Sequence, residues 1–424
     1  HEAVEMTMAA KRTISELGMA RSISNLMPPN VPLSGAGARS AEASAPMMKW
    51  TPPALFVLAS MCQSRVAKRL LPEPQEESTM QSRIIAVDLA KSVFEVAVAN
   101  PQCRVLERHR LSRKAFSAFI AAQPPALVLL EACGSAHFWG RTAQALGHDV
   151  RLLPAQYTKP YRRRGKTDRA DTEALLEAHR CDDIKPVPVH AVEQQTVQQL
   201  HRAREQWKRT RTQRLNGLRG FLRELGFDIP IGAKTAQRHA RLFIDDPAVP
   251  VPLKSLFTRM LDEIASLETH IADVERQLKA LTKHNTDVQR LQTIAGVGLL
   301  TSTALVAAVG NPQRFPSGKH LSSWLGLTSS EHSSGNRRRL GKITKQGDTY
   351  LRTLLVHGAR SLLSRIKTLQ RAGKALPRLH QWAAALELRV GHNKAACALA
   401  NKLARICWAV WTSQNDFNPN HVPA

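Results

Sequence analysis

Apolar residues follow two rhythms along this chain, and the change between them divides it. From Arg83 short apolar runs alternate with stretches of helical spacing. Arg83–Asp88 (RIIAVD) has strand length, a tight turn follows, and Val93–Ala99 (VFEVAVA) returns as its hairpin partner. Lys114–Ala122 reads as a helix, Leu127–Glu131 (LVLLE) as a buried strand, Ser135–Gly147 as a helix, Asp149–Leu153 as a strand and Thr167–His179 as a helix. Strands interleaved with helices predict a mixed sheet with helices packed against it, an α/β unit over residues 80–185.

Beyond it the rhythm is helical. Glu193–Leu225 places apolar residues at Val197, Leu200, Ala203, Trp207, Leu215, Leu218, Leu222 and Leu225, and is studded with Arg202, Arg204, Lys208, Arg209, Arg211, Arg214, Arg219 and Arg223. Leu253–Leu281 repeats Leu, Met, Ile and Val at intervals of three and four residues, close to a coiled-coil seam. Gly226 ends the first helix and a Pro-containing loop leads to the second, so residues 186–285 read as an antiparallel helical hairpin suited to dimerisation. A third, mostly helical unit spans 286–415. It holds a Gly296-Val297-Gly298 turn, a Ser- and Arg-rich loop over Thr328–Lys345 and an Ala/Leu-rich helix over Asn393–Trp411, and a short tail occupies 416–424.

The first 79 residues share neither rhythm. They hold seven of the nine methionines, Pro-Pro pairs and Ser/Ala/Gly runs, so they read as unstructured. Met80 stands just before the first clean strand, and the expectation is a translated upstream region or a tail without catalytic relevance. The competing reading is a native extension with its own partner.

Charge narrows the function. The 424 residues carry 60 Lys plus Arg against 34 Asp plus Glu, a net +26, and 52 of those basic residues lie from residue 80 onward. Such an excess points to polyanions, nucleic acid first among them. Aromatic residues are only 5%, too few for a protein that grips single strands mainly by base stacking. Six scattered cysteines without a C-x-x-C pair exclude a zinc ribbon or a disulfide framework and suit a reducing cytoplasm. The longest early apolar run, Ala54 to Met61, is far short of the ~20 residues that span a bilayer. No secretory signal is evident, and the expectation is a soluble protein without a membrane partner.

The candidate chemistry lies in acids at element ends. Asp88 closes the first strand, Glu131 closes a buried strand, and Asp168 and Asp171 sit three apart at a helix start. Each alone is an ordinary turn or helix-start residue. In this order, on these elements, they describe a nuclease sheet whose converging carboxylates hold two Mg²⁺ ions. Two such ions about 4 Å apart stabilise both the attacking and the leaving oxygen of phosphodiester cleavage. Just before the acidic pair, Tyr161-Arg162-Arg163-Arg164-Gly165-Lys166 forms a cationic strip placed to contact a nucleic-acid backbone. Gly296 and Gly298 lie in a turn of the helix-hairpin-helix kind, where backbone N–H groups receive a phosphate. In the loop Glu331–Lys342 a serine precedes a glycine and three arginines follow, Arg337, Arg338 and Arg339. A hydroxyl there, Ser333 or Ser334, faces a phosphate neutralised by guanidinium, or else the loop is a plain backbone contact. No acid–base pair is evident within the loop.

These residues are familiar together. IIAVDLAKSVFEVAV, LLEACGSAHFWGR and GKTDRADTEAL resemble the RuvC-like DEDD nuclease blocks of the insertion sequence 110 family of transposases. The stretch from Leu291 to Ser361 resembles that family's C-terminal transposase domain, and NKAACALANKLARICWAVW its closing helix. The likeness spans about Met80 to Trp411.

It implies an RNase H-like mixed sheet, with Asp88, Glu131, Asp168 and Asp171 as Mg²⁺ ligands. It implies Ser334 as a nucleophile that becomes covalently joined to DNA, with Ser333 its immediate neighbour. It further implies donor and target DNA as partners, a structured bridge RNA as guide, and a dimer or tetramer in which serine and carboxylates come from different protomers. The place of action would be the bacterial cytoplasm, at the nucleoid. Translation of a noncoding element end would also account for residues 1–79. A junction-resolving nuclease without serine chemistry is the alternative, and a binding scaffold with a dead site is disfavoured by the presence of all four acids.

Overall fold

The two apolar runs at Ile84 and Leu127 become neighbouring parallel strands at the centre of a five-stranded mixed sheet. The computed structural model describes residues 83–162, 165 and 167–420. The expectations for residues 1–79, Arg163, Arg164 and Lys166 lie outside the described residues. Strands β1 (Ile84–Leu89), β2 (Val93–Ala99), β3 (Val105–Ser112), β4 (Leu127–Glu131) and β5 (Asp149–Leu153) are ordered β3-β2-β1-β4-β5. The β1–β2 and β2–β3 pairs are antiparallel, and β1–β4 and β4–β5 are parallel. Strand β3 is an addition to the sequence reading. Its residues VLERHRLS are mostly polar and partly exposed, because it lies at the sheet edge and is held by ladder bonds to β2.

Alternation along β1 sends Ile85, Val87 and Leu89 to one face and Ile84 and Ala86 to the other. The first face is covered by α1 (Arg113–Ala122) and α2 (Ala136–Ala145), where Phe94, Phe116 and Trp139 meet edge to face at 5.1–5.3 Å. After β5 come a one-turn helix α3 (Ala155–Thr158) and a 3₁₀ turn (Lys159–Tyr161). Helix α4 (Asp168–His179) then covers the second face with Leu175, Leu176 and Ala178.

Helices α5 (Val192–Glu224) and α7 (Val251–Leu281) pack along each other. Arg204 meets Glu275, Arg211 meets Glu268 and Arg214 meets Glu263, a register that fixes the pair as antiparallel. The segment between them is not only a loop: α6 (Ala233–Ile244) packs Ala236, Ala240 and Ile244 against Leu215, Leu218, Leu222, Phe257 and Leu261. The coiled-coil spacing of α7 is therefore met largely within the chain. Of its predicted seam, Ile264, Leu267, Ile271, Val274 and Leu278 are buried, while Leu256 and Leu281 are exposed.

The last unit comprises α8 (Thr286–Gln292), α9 (Leu299–Val309), α10 (Gly318–Trp324), α11 (Thr349–Arg371), α12 (Arg378–Val390) and α13 (His392–Ser413). Its core gathers Leu305, Leu355, Leu363, Leu399, Leu403 and Trp411. The Ser- and Arg-rich loop contains a small antiparallel hairpin, β6 (Ser329–Glu331) with β7 (Leu340–Ile343). Among the described residues no helix is long and apolar enough to cross a membrane.

Candidate active site

Strand register explains why the acids converge. Val87 pairs with Leu130 across the parallel β1–β4 ladder, so Asp88 and Glu131 stand side by side one step further along. Asp88 continues the Ile84–Ala86 face of β1, and Glu131 follows Leu129, which belongs to the same core layer. That is the face covered by α4. The helix begins at this end of the sheet because Thr167 caps it, its hydroxyl accepting the Ala170 N–H at 3.2 Å. Asp168 and Asp171 therefore occupy the first turn, where a helix favours negative charge.

The electrostatics record the proximity. Burial, reinforced by Asp171, Asp168 and Glu131, pushes the Asp88 carboxyl from 3.8 up to about 6, while Arg162 acts in the opposite sense. Arg162 is ion-paired with Asp171. The sequence marked Arg162 as a phosphate contact; in this structure its guanidinium partly balances the acids. Among the described residues no three His, Cys, Asp or Glu side chains are drawn close enough to form a ready-made metal cage. The donor set still suits a hard divalent ion, being all carboxylate oxygen, mutually repulsive and only partly neutralised. Two further residues at this site carried no sequence signal. Glu95 stands directly across the antiparallel ladder from Asp88. The Cys133 thiol is pushed up by burial and by Glu131 and Asp88.

The serine loop is ordered by its own side chains. Ser334 and Arg337 close a hairpin turn, the Arg337 N–H donating to Ser334 O at 3.2 Å, and Gly335 takes the positive φ of +54° that the turn requires. The Ser333 hydroxyl donates to Glu331 Oε1 at 2.7 Å and accepts the Arg339 N–H at 3.1 Å, while Arg338 Nε donates to the same carboxylate at 3.2 Å. The loop thus contains a serine–carboxylate pair, contrary to the sequence expectation. The Ser333–Glu331 contact is local, and the β6–β7 pairing adds Arg338 and Arg339 to it from across the hairpin. The Ser333 hydrogen bond, with Arg338, holds the Glu331 carboxyl below its usual range. The Ser334 hydroxyl is exposed and has no hydrogen-bond partner among the described residues.

The predicted backbone contacts are sorted by their partners. Arg204 and Arg211 are engaged across the hairpin by Glu275 and Glu268, and Lys208 and Arg209 lie 3.4 and 3.5 Å from Glu205. Arg202 has no carboxylate partner among the described residues. Arg337 and Arg339 are exposed at the hairpin tip. Gly296 (φ +90°) and Gly298 lie in the turn joining α8 to α9, and Gly298 caps α9 without a side chain, leaving its first N–H groups open.

Comparison with known proteins fits these features. Residues 85–227 match the DEDD-type transposase family DEDD_Tnp_IS110, and residues 288–374 match the family described as Transposase IS116/IS110/IS902. The chain is 39% identical over 338 residues to a probable family 20 transposase of Pseudomonas aeruginosa, covering 79% of this chain and 98% of that one. It is 36% identical over 345 residues to the transposase for insertion sequence element IS1111A of Coxiella burnetii, covering 81% and 93%. It is 34% identical over 335 residues to the transposase for insertion sequence element IS1328 of Yersinia enterocolitica, covering 79% and 98%. With an acid-bearing mixed sheet at one end and this agreement along most of its length, the chain belongs to the IS110 family of insertion-sequence transposases, enzymes that act on DNA.

Proposed function

We propose that this transposase cuts and rejoins DNA by attack of a serine hydroxyl on a phosphodiester, with divalent-metal assistance from Asp88, Glu131, Asp168 and Asp171. The observation that carries the reading is the gathering of those four acids: burial first, then the charges of Asp171, Asp168 and Glu131, lift Asp88 to about 6. Mg²⁺, held by the four carboxylates, would supply charge neutralisation at the reacting phosphate. The chain's own part is to hold a polyanion beside these acids and to present a nucleophile.

Ser334 is that nucleophile in this reading. Its hydroxyl is exposed and uncommitted, whereas the Ser333 hydroxyl is held by Glu331. Attack forms a bond from Ser334 Oγ to phosphorus and breaks the bond from phosphorus to a sugar oxygen. The serine proton passes to a carboxylate and the sugar oxygen leaves protonated or is held by charge. Arg337, Arg338 and Arg339 lie beside the serine to neutralise the phosphate. Ser333, Glu331 and Arg338 hold the turn that presents Ser334. No carboxylate lies on Ser334 among the described residues, so activation comes from the acid set of a second subunit in a homo-oligomer, as the family likeness implies. The sequence-independent basic excess suits delegation of sequence reading to a structured guide RNA paired with donor and target DNA.

The test is a suicide DNA substrate that traps a covalent protein–DNA adduct. Ser334→Ala should abolish the adduct and strand exchange while DNA binding persists, and Ser333→Ala should slow both. Mixing Ser334→Ala with Asp88→Ala protein should restore part of the activity. Cleavage without any adduct in the wild type would instead support a metal-dependent, junction-resolving nuclease.

A further inference from the structure

The geometry points to a nucleotide-binding pocket where α2, α5 and the C-terminal unit meet, built to take one nucleotide, phosphate first, extruded from a bound strand. The pocket shares no residue with the acid set or the serine hairpin. It is a cavity of about 880 Å³ lined by His137, His190, Arg202, Gln206, Trp324 and Tyr350 among others, within the size of small-molecule sites.

Hydrogen bonding fixes what the two histidines offer. Their rings stack at 4.4 Å and 8°. His137 Nδ1 accepts the backbone N–H of His190 at 3.1 Å. The Gln198 amide nitrogen donates to Ala307 O at 2.8 Å, a carbonyl that can only accept, so it also donates to His190 Nδ1 at 3.0 Å. With Nδ1 an acceptor in both rings, each neutral imidazole carries its proton on Nε2. His190 is 6% exposed, yet its Nε2 is buried with no partner. The His137 Nε2 likewise has none among the described residues. Two N–H donors without protein acceptors are therefore left on residues that line the cavity, the one on His190 buried. The unmade hydrogen bond of the buried His190 Nε2–H is costly in the empty protein, and an anionic oxygen would satisfy it.

The surrounding charges favour an anion. Arg202 lines the cavity without a carboxylate partner, and Arg141 and Arg314 bring positive charge close to the rings. Burial first, then His190, Arg141 and Arg202, hold His137 at about 4, so it meets a ligand as a neutral donor. Two acids face the cavity, and both are committed. Asp348 caps α11 through the Leu351 N–H at 2.9 Å, and Glu205 is flanked by Lys208 and Arg209. Trp324 and Tyr350 also line the cavity, the Tyr350 hydroxyl being anchored on His201 at 2.9 Å. Phosphate donors beside an aromatic wall are the arrangement that receives an unstacked nucleotide.

The test uses the full-length chain with a short single-stranded oligonucleotide carrying one 2-aminopurine, whose fluorescence rises when the base leaves its neighbours. Binding should raise the signal. Arg202→Gln, on an exposed part of α5, and His190→Asn, which keeps an acceptor near Nδ1 but has no donor near Nε2, should each weaken binding about tenfold. His190→Gln, which restores a donor near Nε2, should recover most of it. Binding without a fluorescence rise, or wild-type affinity in both Arg202→Gln and His190→Asn, would overturn the site. Saturable binding of free AMP with no rise on the oligonucleotide would overturn extrusion from a strand.

Discussion

Arg162 lies on Asp171, and its charge opposes the upward push that Asp171, Asp168 and Glu131 exert on Asp88. A side-chain cation thus already stands where an acid set of this density needs one. Arg162→Gln should raise the Asp88 pKa above its present value of about 6, because one of the opposing charges is removed. Carbon-13 titration of the Asp88 carboxyl in metal-free protein checks this. An unchanged or lower midpoint would remove Arg162 from the acid set.

The same shift gives stability a pH signature. Asp88 titrates at 3.8 in the unfolded chain and at about 6 in the folded one. Its charging therefore opposes folding; the cost is absent below pH 3.8, grows between there and about 6, and is complete above. Asp88→Asn should match the wild type near pH 3.5 and exceed it at pH 7.5 by ~1–2 kcal/mol, the full shift being discounted for solvent screening at a half-exposed group. Urea unfolding at the two pH values in metal-free buffer decides it. Equal stabilities at pH 7.5 would show that neither burial nor the neighbouring acids oppose the charging of Asp88.

His201 carries the opposite sign. It is 3% exposed between α5, α9 and α11, with Nε2 on the Thr303 hydroxyl and Nδ1 on Tyr350, each at 2.9 Å. Burial, then Arg204, lowers it from 6.5 to about 4. The stability it contributes is present above pH 6.5 and is lost as pH falls towards 4. The protein should lose ~2–3 kcal/mol across that window from this residue. His201→Gln, which cannot titrate, should flatten the decline while lowering stability at pH 7.5. A wild-type profile with no downward slope between pH 6.5 and 4 would contradict it.

How much of this could be read from the chain follows from local physics. The acids were visible because each ends an element whose apolar residues declare it: LVLLE before Glu131, RIIAVD through Asp88. Their meeting depends on parallel pairing of β1 with β4 and on α4 crossing that face, which no local spacing states. Strand β3 was missed because an edge strand gains its order from ladder bonds rather than from an apolar side. Helix α6 was missed because AKTAQRHARLFI buries only a narrow stripe, Ala236, Ala240 and Ile244. The arginines that join Ser333 and Glu331 arrive only through the β6–β7 pairing, and the stacked His137 and His190 are a tertiary result. The positions of the last pair are 53 residues apart, joined by the His190 N–H on His137.

The arginines of α5 should divide by partner rather than act as one basic stripe. Arg204, 12% exposed at its side chain, is held by Glu275 at 2.7 Å, and Arg211 lies 3.6 Å from Glu268. Arg204→Gln should cost ~1–3 kcal/mol of stability, with little change in the salt dependence of DNA binding. Arg202→Gln should leave stability alone and reduce the salt slope by about one. Thermal denaturation and salt titrations of both variants provide the comparison. An equal fall in slope for Arg204→Gln would show that the ion pair opens on DNA.

Two glycine-to-alanine changes inside helices should have opposite signs. A methyl group on Gly358, within α11, would stand 2.0 Å from Gly296 O, the carbonyl of the turn between α8 and α9. Gly296 holds φ +90° there, and a methyl on it would meet Gly358 O at 3.1 Å, so neither chain segment has room to yield cheaply. Gly220, within α5, has nothing within 4 Å of the same added atom. Alanine is favoured over glycine in a helix by ~1 kcal/mol, and at Gly220 that gain is unopposed. Gly220→Ala should therefore raise stability by up to ~1 kcal/mol. Gly358→Ala must push α11 away from the turn, and should cost ~1–3 kcal/mol or more in spite of its helix propensity. It should also weaken any DNA contact made by the N–H groups at the start of α9, because the turn that aims them is displaced. Chemical denaturation of both variants, with DNA affinity measured alongside, tests the packing. A Gly358→Ala protein as stable as the wild type would show that the turn and α11 are not in backbone contact.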